Sequence, residues 1–369
     1  MRKTTTLSKF AKESFLVACQ SKERSVVFSW VQAQTHRTRE TMMRRSCFVI
    51  LVVCTFGMVS HAQQSQGGDS QGSSTPPLNV NQIAIRRWYA ANTAPTQFST
   101  GGNGPRAVAF DGTHIWAANG FSASVTKLRA SDGTVVGTFP CGNLPWGIAF
   151  DGANIWVANL IDDTVTKLRA SDGVTVGTFP VGRNPIGLAF DGANIWVANF
   201  SGNTVSKLSA SDGSTMGTFP VGTKPVDVAF DGANIWVTNQ GTSNNVIKLR
   251  ASDGARLGTF DVGKAPVGVT FDGSNIWVAN SDSNTLTELR ASDGALLGTF
   301  AVGSAPQFIA FDGVNVWITN QGSDNVTKRR ASDGTLLGTF SVGSSPFGIG
   351  FDGANIWVAS VNSGTVAKL

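Results

Sequence analysis

The chain has few of the side chains that perform most acid–base and metal chemistry. It contains 3 His, 4 Cys and 1 Tyr in 369 residues, and after residue 62 only His114, Cys141 and Glu288 remain of the histidines, cysteines and glutamates. A single cysteine cannot form an internal disulfide. There is also no Walker loop, no Gly-x-Ser-x-Gly elbow and no zinc-ligand spacing. We therefore predict no catalytic residue, no metal site and no cofactor.

The body of the chain also lacks an excess of positive charge. The net charge of the whole sequence is +5, but residues 1–62 carry 10 Lys/Arg against 3 Asp/Glu, whereas residues 63–369 carry 19 against 21. The basic character thus belongs to the N-terminal segment. Because binding to nucleic acid depends on neutralising phosphates, this balance argues against a nucleic-acid partner.

No apolar run is long enough to cross a bilayer. The longest, residues 47–59, spans 13 residues, follows the basic 42–45 and precedes small residues at Ser60 and Ala62. This is the pattern of a cleaved export signal. We predict a signal peptide at 42–62 and a mature protein without a membrane span, located in the periplasm, outside the cell or on its surface. A lipoprotein signal at Cys54 is the weaker alternative, because a bulky Val precedes that cysteine.

The segments on either side of the signal are polar. We interpret residues 1–41 as an upstream extension that is not native, with translation starting at Met42 or Met43, or as a disordered segment; a genuine N-terminal extension is the alternative. Residues 63–82 are rich in Gln, Gly, Ser and Pro, a composition typical of a flexible linker. The folded domain is expected at 83–369.

The remainder of the chain is a repeat. Phe-Asp-Gly, followed by two residues, an Ile or Val, and Trp, occurs seven times, with its Asp at 111, 151, 191, 231, 272, 312 and 352. A period of 40 or 41 residues is the mark of a repeat architecture. Residues 185–222 show one unit, with predicted strands A (185–190), B (195–199), C (204–208) and D (215–219) joined by Asp-Gly or loop connections. Four antiparallel strands per repeat predict one blade of an all-β, seven-bladed β-propeller.

The two ends of the repeat region complement each other. The last unit ends at Leu369 after strand C, and residues 97–105 resemble the strand D that it lacks. We predict that this N-terminal strand completes the C-terminal blade and closes the ring, which leaves no radial edge exposed. An open β-solenoid is the alternative, and it would not need complementary ends.

The repeat phrases resemble a known family. Asn194-Ile-Trp-Val-Ala-Asn199 and Gly217-Thr-Phe-Pro-Val-Gly222 are similar to YVTN-type β-propeller repeats, and also to those of virginiamycin B lyase-like propellers. The resemblance covers about 95–369 and implies the propeller fold. It implies either a binding protein or a metal-dependent lyase or hydrolase, but no His or Glu here matches a catalytic role in that family. Asp227 with Asn103 and Asn143 is the best available set of metal ligands.

Comparing the seven units within the chain locates the candidate site. The A–B and C–D turns are nearly constant, whereas the B–C and D–A connections on the opposite face vary, and variable loops on a rigid scaffold commonly carry function. Because strand A is innermost, the residues that begin it should surround the central mouth. The predicted ligand-binding residues are Arg106, Asn143, Trp146, Arg183, Lys224, Asp227, Lys264, Gln307 and Phe347.

The composition of this set suggests a ligand class. Four cations beside two aromatic side chains favour an anionic or aromatic small ligand or peptide, because positive charge in a concave site concentrates anions. We predict an exported binding or interaction scaffold, which could also have a protein partner. A metal-dependent lyase or hydrolase and a purely structural cell-surface protein are the alternatives, and neutral drift on a solvated face would also explain the variation.

Overall fold

The structure, a computed structural model, describes residues 96–369, which form seven four-stranded antiparallel sheets. Consecutive sheets pack side by side around a ring, and the seventh packs against the first. The chain is a seven-bladed β-propeller, as the repeat predicted. The predicted segments 1–41, 42–62 and 63–82, and the start of the domain at 83, lie outside the described residues.

We number the strands β1 to β28 in chain order. Strand A of blades 1 to 7 is β2 (Pro105–Phe110), β6 (Pro145–Phe150), β10 (Pro185–Phe190), β14 (Pro225–Phe230), β18 (Pro266–Phe271), β22 (Pro306–Phe311) and β26 (Pro346–Phe351). Strand B is β3 (His114–Asn119), β7 (Asn154–Asn159), β11 (Asn194–Asn199), β15 (Asn234–Asn239), β19 (Asn275–Asn280), β23 (Asn315–Asn320) and β27 (Ile356–Ser360).

Strand C is β4 (Ser124–Arg129), β8 (Thr164–Arg169), β12 (Thr204–Ser209), β16 (Asn245–Arg250), β20 (Thr285–Arg290), β24 (Asn325–Arg330) and β28 (Thr365–Lys368). Strand D is β5 (Val135–Pro140), β9 (Thr175–Pro180), β13 (Thr215–Pro220), β17 (Arg256–Asp261), β21 (Leu296–Ala301), β25 (Leu336–Ser341) and, for blade 7, β1 (Thr96–Ser99). A 3₁₀ turn at Gln321–Ser323 is the only helical element within 96–369, and none of the described elements is a helix that could cross a bilayer.

The ring closes through the N-terminal strand. β1 pairs antiparallel with β28, with Phe98 opposite Val366 and Ser99 opposite Thr365. Phe98 then stacks on Trp357 of blade 7 at 5.6 Å between ring centroids. The prediction that residues near 97 supply the missing strand D is confirmed.

The A–B turn explains why Asp-Gly and Trp recur together. In blade 3, Oδ1 of Asp191 accepts hydrogen bonds from the backbone N–H groups of Ala193 and Asn194, and Oδ2 accepts one from Trp196 Nε1 at 2.8 Å. Gly192 has φ +97°, a backbone conformation that residues other than glycine rarely adopt. Burial alone would raise the pKa of Asp191, but these hydrogen bonds lower it below its usual range. One Asp thus orders the turn and satisfies a buried indole.

The core lies between blades. The seven repeat Trp side chains are at most 8% exposed, and Trp196 packs against Ile235 and Val237 of the next blade. Strand B therefore has apolar residues on both faces, as a blade between two neighbours requires.

The Asn that ends strand B ties this strand to strand C. Nδ2 of Asn199 donates to Thr204 Oγ1 at 3.0 Å and to Ser206 Oγ at 2.9 Å, both on strand C. A Cβ on Gly182, in the preceding D–A connection, would lie 2.6 Å from the Asn199 amide. The Asn thus joins two strands and packs tightly against a glycine, which leaves little room for ligand contact.

In five of the seven blades, a lysine on strand C links the blade to the next one. Lys207 Nζ lies 5.1 Å from the ring centre of Trp196 and donates to the carbonyl of Ala251 at 2.7 Å in blade 4. Lys127, Lys167, Lys248 and Lys368 make the equivalent bonds. In blade 5 the same position holds Glu288, which accepts from Asn275 Nδ2 at 2.8 Å instead.

Glu288→Lys is expected to stabilise the protein by about 1 kcal/mol, because it restores a charge-assisted bond between blades 5 and 6. Burial, and then the neighbouring Asp272, raise the pKa of Glu288. A carboxyl whose pKa is raised on folding disfavours the folded state once pH exceeds that pKa. The gain should therefore be larger at pH 8 than at pH 5, measured by thermal unfolding at both. Lys207→Glu is the matched reversal and should destabilise; a destabilising Glu288→Lys would contradict this account.

Candidate functional site

Strand A presents its first residues to the centre of the ring. In blade 3 the pairing of strands A and B shifts register between Pro185 and Leu188, so that Ile186 and Gly187 form a bulge. Five other blades shift at the same place, and blade 1 shifts between Pro105 and Ala107. Bulges redirect side chains out of regular pairing. We call the residues that follow the seven prolines the mouth ring: Arg106, Trp146, Ile186, Val226, Val267, Gln307 and Phe347.

The mouth ring is mainly apolar. Ile186, Val226 and Val267 form one buried cluster, with Trp146, Leu160, Phe200 and Phe308 packed around it. The rings of Trp146 and Phe347 meet edge to face at 5.6 Å. A cavity of about 350 Å³ opens over these residues on the side of the B–C and D–A connections. This is the size and apolar lining of a small-molecule site.

Arg106 is the one cation of the mouth ring. Its guanidinium carbon lies 4.0 Å from the ring centre of Trp146, 5.0 Å from that of Phe121 and 5.8 Å from that of Phe347. Within residues 96–369 it forms no ion pair, and its Nε and Trp146 Nε1 are buried without hydrogen-bond partners. Burial lowers the pKa of Arg106.

Asp227 lies one residue deeper, in a central channel of about 190 Å³ that Arg106 also lines. Its Oδ2 accepts a hydrogen bond from the backbone N–H of Val269 in the next blade at 3.0 Å. Burial raises the pKa of Asp227 to about 7, although the N–H groups of Val269 and Val228 act in the opposite direction. The channel therefore contains a carboxyl that titrates near neutral pH.

The other predicted site residues fall into two places. Gln307 is in the mouth ring, where its Nε2 donates to the Ala305 carbonyl at 3.2 Å. Arg183, Lys224, Lys264 and Asn143 are exposed on the D–A connections, outside the mouth ring. The structure thus brings Arg106, Trp146, Asp227, Gln307 and Phe347 together and separates the remaining cations from them.

Two of those cations border a different depression. Lys224 and Lys264 line a groove of about 540 Å³ with Asp282 and with residues 240–242 of the B–C connection of blade 4. Lys224 Nζ lies 5.7 Å from the ring centre of Phe200. Asn143 Nδ2 donates to Asp162 Oδ1 at 2.9 Å, which occupies its amide in a surface contact.

The structure adds residues that the sequence analysis did not include in the site. Phe121 packs on Arg106, and Phe308 lines the channel and packs against Phe347 with 5.2 Å between ring centroids. Thr238 donates to the Val267 carbonyl at 2.6 Å, and Thr319 donates to that of Phe347 at the same distance. A comparison of the seven units would have found the two threonines, because both stand directly before the last residue of strand B, where the other five blades have Ala.

The residues proposed as metal ligands do not converge. Asp227 lines the channel, whereas Asn143 is exposed and bonded to Asp162, and Asn103 is exposed on its connection. In the described part of the chain, no group of three His, Cys, Asp or Glu side chains is suited to hold a metal. His114 pairs with Asp111 at the A–B turn, on the opposite face. The described residues therefore do not fit a metal centre at the mouth.

Comparisons with known proteins agree on the fold. No protein-family model and no curated protein matches the chain. Hydrazine synthase of Kuenenia stuttgartiensis is similar in structure, with 18% identity, a TM-score of 0.65, and coverage of 74% of this chain and 97% of that one. A streptogramin B lyase structure is similar at 18% identity and a TM-score of 0.64, with coverage of 74% and 96%. At this identity the likeness shows the fold alone, and the chain is a β-propeller repeat protein with the architecture of these two structures.

Proposed function

We propose that this protein is a binding module whose mouth ring holds a small ligand, free or at the end of a peptide, that carries one anionic group on an apolar body. The observation that supports this most is Arg106: a partly buried guanidinium with aromatic rings around it and no acidic partner among the described residues. Such a charge is costly to bury unless it is compensated.

The chemistry of the site favours a carboxylate or phosphate. A guanidinium presents N–H donors that match a carboxylate or a phosphate in a bidentate arrangement. These charge-assisted hydrogen bonds are stronger where water is excluded. The aromatic rings hold the guanidinium plane and offer apolar contact to the rest of the ligand. The exposed lysines nearby supply long-range attraction rather than a defined contact.

Arg106→Met is expected to weaken the binding of anionic ligands at least tenfold, a loss of about 1.4 kcal/mol or more. Methionine keeps most of the apolar stem and removes the charge. The probes are benzoate and phenyl phosphate, titrated calorimetrically into the full chain. Arg183→Met, which removes an exposed cation from the same face, is the matched control and should change affinity less than twofold.

Three results would contradict the proposal. The first is an equal loss of affinity in Arg106→Met and Arg183→Met. The second is unchanged affinity in Arg106→Met, and the third is no binding of either probe to the unmodified protein. The last result would favour a purely structural role, for which no ligand is expected.

A further inference from the structure

We infer that the ligand is a zwitterion, with its anionic group on Arg106 and its ammonium group in the channel on Asp227. This inference rests on the proposed function, because it assigns the second half of the same ligand. Its basis is that two opposite charges line one cavity and form no ion pair with each other or with any other described residue.

Asp227 is an exception to its own repeat position. The residues at the same place in the other blades are Ala107, Gly147, Gly187, Gly268, Phe308 and Gly348. Four of the six are glycine, and a Cβ on Gly187 would lie 2.6 Å from Asp227 Oδ1. The small neighbours thus leave room for a carboxylate at a level of the channel where most blades have no side chain.

The carboxylate is held in a fixed orientation. Oδ2 accepts from the Val269 N–H on one side, and the Asp227 backbone N–H donates to Thr238 Oγ1 at 3.0 Å. Thr238 in turn bonds to the Val267 carbonyl of blade 5. Among the described residues this leaves Asp227 without a cationic partner, although a buried carboxylate is stabilised by one.

The positions of the two charges suit a short ligand that spans the channel. Arg106 belongs to blade 1 and Asp227 to blade 4, so they lie on opposite sides of a ring of seven, with Asp227 one residue deeper. Phe308, Ile148 and Leu188 provide apolar lining between them. The channel volume of about 190 Å³ equals roughly six water molecules at about 30 Å³ each. This bulk matches an amino acid with a short carbon chain.

The titration of Asp227 gives a distinct signature. The strands packed against β14, namely β10, β11, β15 and β18, contain no ionisable side chain, and Arg106 is the other charged residue lining the channel. Because burial raises the pKa of Asp227 to about 7, its negative charge is expected to be less complete at pH 6 than at pH 8. An alkylammonium group stays protonated across this range. Affinity for a zwitterion should therefore rise with pH, whereas affinity for a simple carboxylate should not.

The test compares linear amino acids, from glycine to 6-aminohexanoate, with the unsubstituted carboxylates of equal length, by calorimetry on the full chain. We expect the amino acid to bind at least tenfold more tightly at the length that spans the channel, and this preference to grow from pH 6 to pH 8. Asp227→Asn should abolish the preference and its pH dependence while leaving carboxylate binding intact. Asp227→Gly introduces the residue that four other blades have at this position, and it should abolish the same preference.

The outcomes separate this inference from the proposed function. If carboxylates bind through Arg106 but amino acids bind no better at any length, the zwitterion inference is overturned and the binding function stands. If an amino acid preference persists in both Asp227 variants, the assignment to Asp227 is overturned. If no carboxylate binds, the zwitterion inference is overturned, and if phenyl phosphate does not bind either, the binding function fails with it.

Discussion

Trp196→Ala should lower the free energy of unfolding by about 3–5 kcal/mol, the usual loss for a fully buried large side chain. The side chain is 0% exposed, stacks on Phe219 at 5.5 Å and fills the space between blades 3 and 4. The substitution also removes the donor to Asp191 Oδ2. Denaturant unfolding monitored by circular dichroism measures the effect.

Two further variants give this prediction its controls. Trp196→Phe keeps a ring in the core and loses the indole N–H, so it should cost about 1–3 kcal/mol. Ile161→Ala alters a side chain that is 60% exposed and should change stability by less than about 0.5 kcal/mol. If Trp196→Ala lost less unfolding free energy than Trp196→Phe, the repeat Trp residues would not form the inter-blade core.

Phe98→Ala should weaken the closure of the propeller and lower the free energy of unfolding by about 2 kcal/mol. This is less than for a fully buried Phe, because the Phe98 side chain is half-buried. Phe98 stacks on Trp357, and Gly133 of blade 1 approaches it so closely that a Cβ there would lie 2.1 Å from the Phe98 ring. Among the strands of residues 96–369, β1 is the only strand D that no turn joins to its own strand C. Its loss would expose the edge of β28.

The matched control is Phe219→Ala, which removes the equivalent stack on Trp196 in an internal blade. Both variants should lose similar stability. Only Phe98→Ala should gain protease cleavage near Gly101–Gly104, because β1 can then detach while β13 stays joined to its blade. Equal cleavage patterns for the two variants would contradict the closure account.

The strand pattern and the blade count could be read from the sequence because each repeat specifies its own local structure. The observed strands Pro185–Phe190, Asn194–Asn199, Thr204–Ser209 and Thr215–Pro220 differ from the predicted ones by at most one residue at either end. Asp-Gly turns and β-branched runs act within a few residues, and the period counts the blades. The ring closure was predicted from the incomplete last unit together with residues 97–105, which resemble the strand D that this unit lacks.

The site was predicted less completely because its geometry depends on residues far apart in the chain. The sequence placed Arg106, Trp146 and Phe347 at the mouth, but the stacking of Arg106 on Trp146 joins different blades. It also grouped Lys224 and Lys264 with them, although both are exposed in a separate groove. The register shift after each proline decides which of two neighbouring residues faces the mouth, and it is a property of strand pairing.

The sequence by itself determined the number of blades, their strands and the turns, because these follow from short phrases repeated at a fixed period. Only the tertiary structure showed that Arg106 and Asp227 share one cavity while lacking partners among the described residues, because the circular order of the blades brings together residues that are 121 positions apart. A repeat encodes what its copies share. The candidate site arises from the positions at which they differ, and the ring alone decides which of those positions meet.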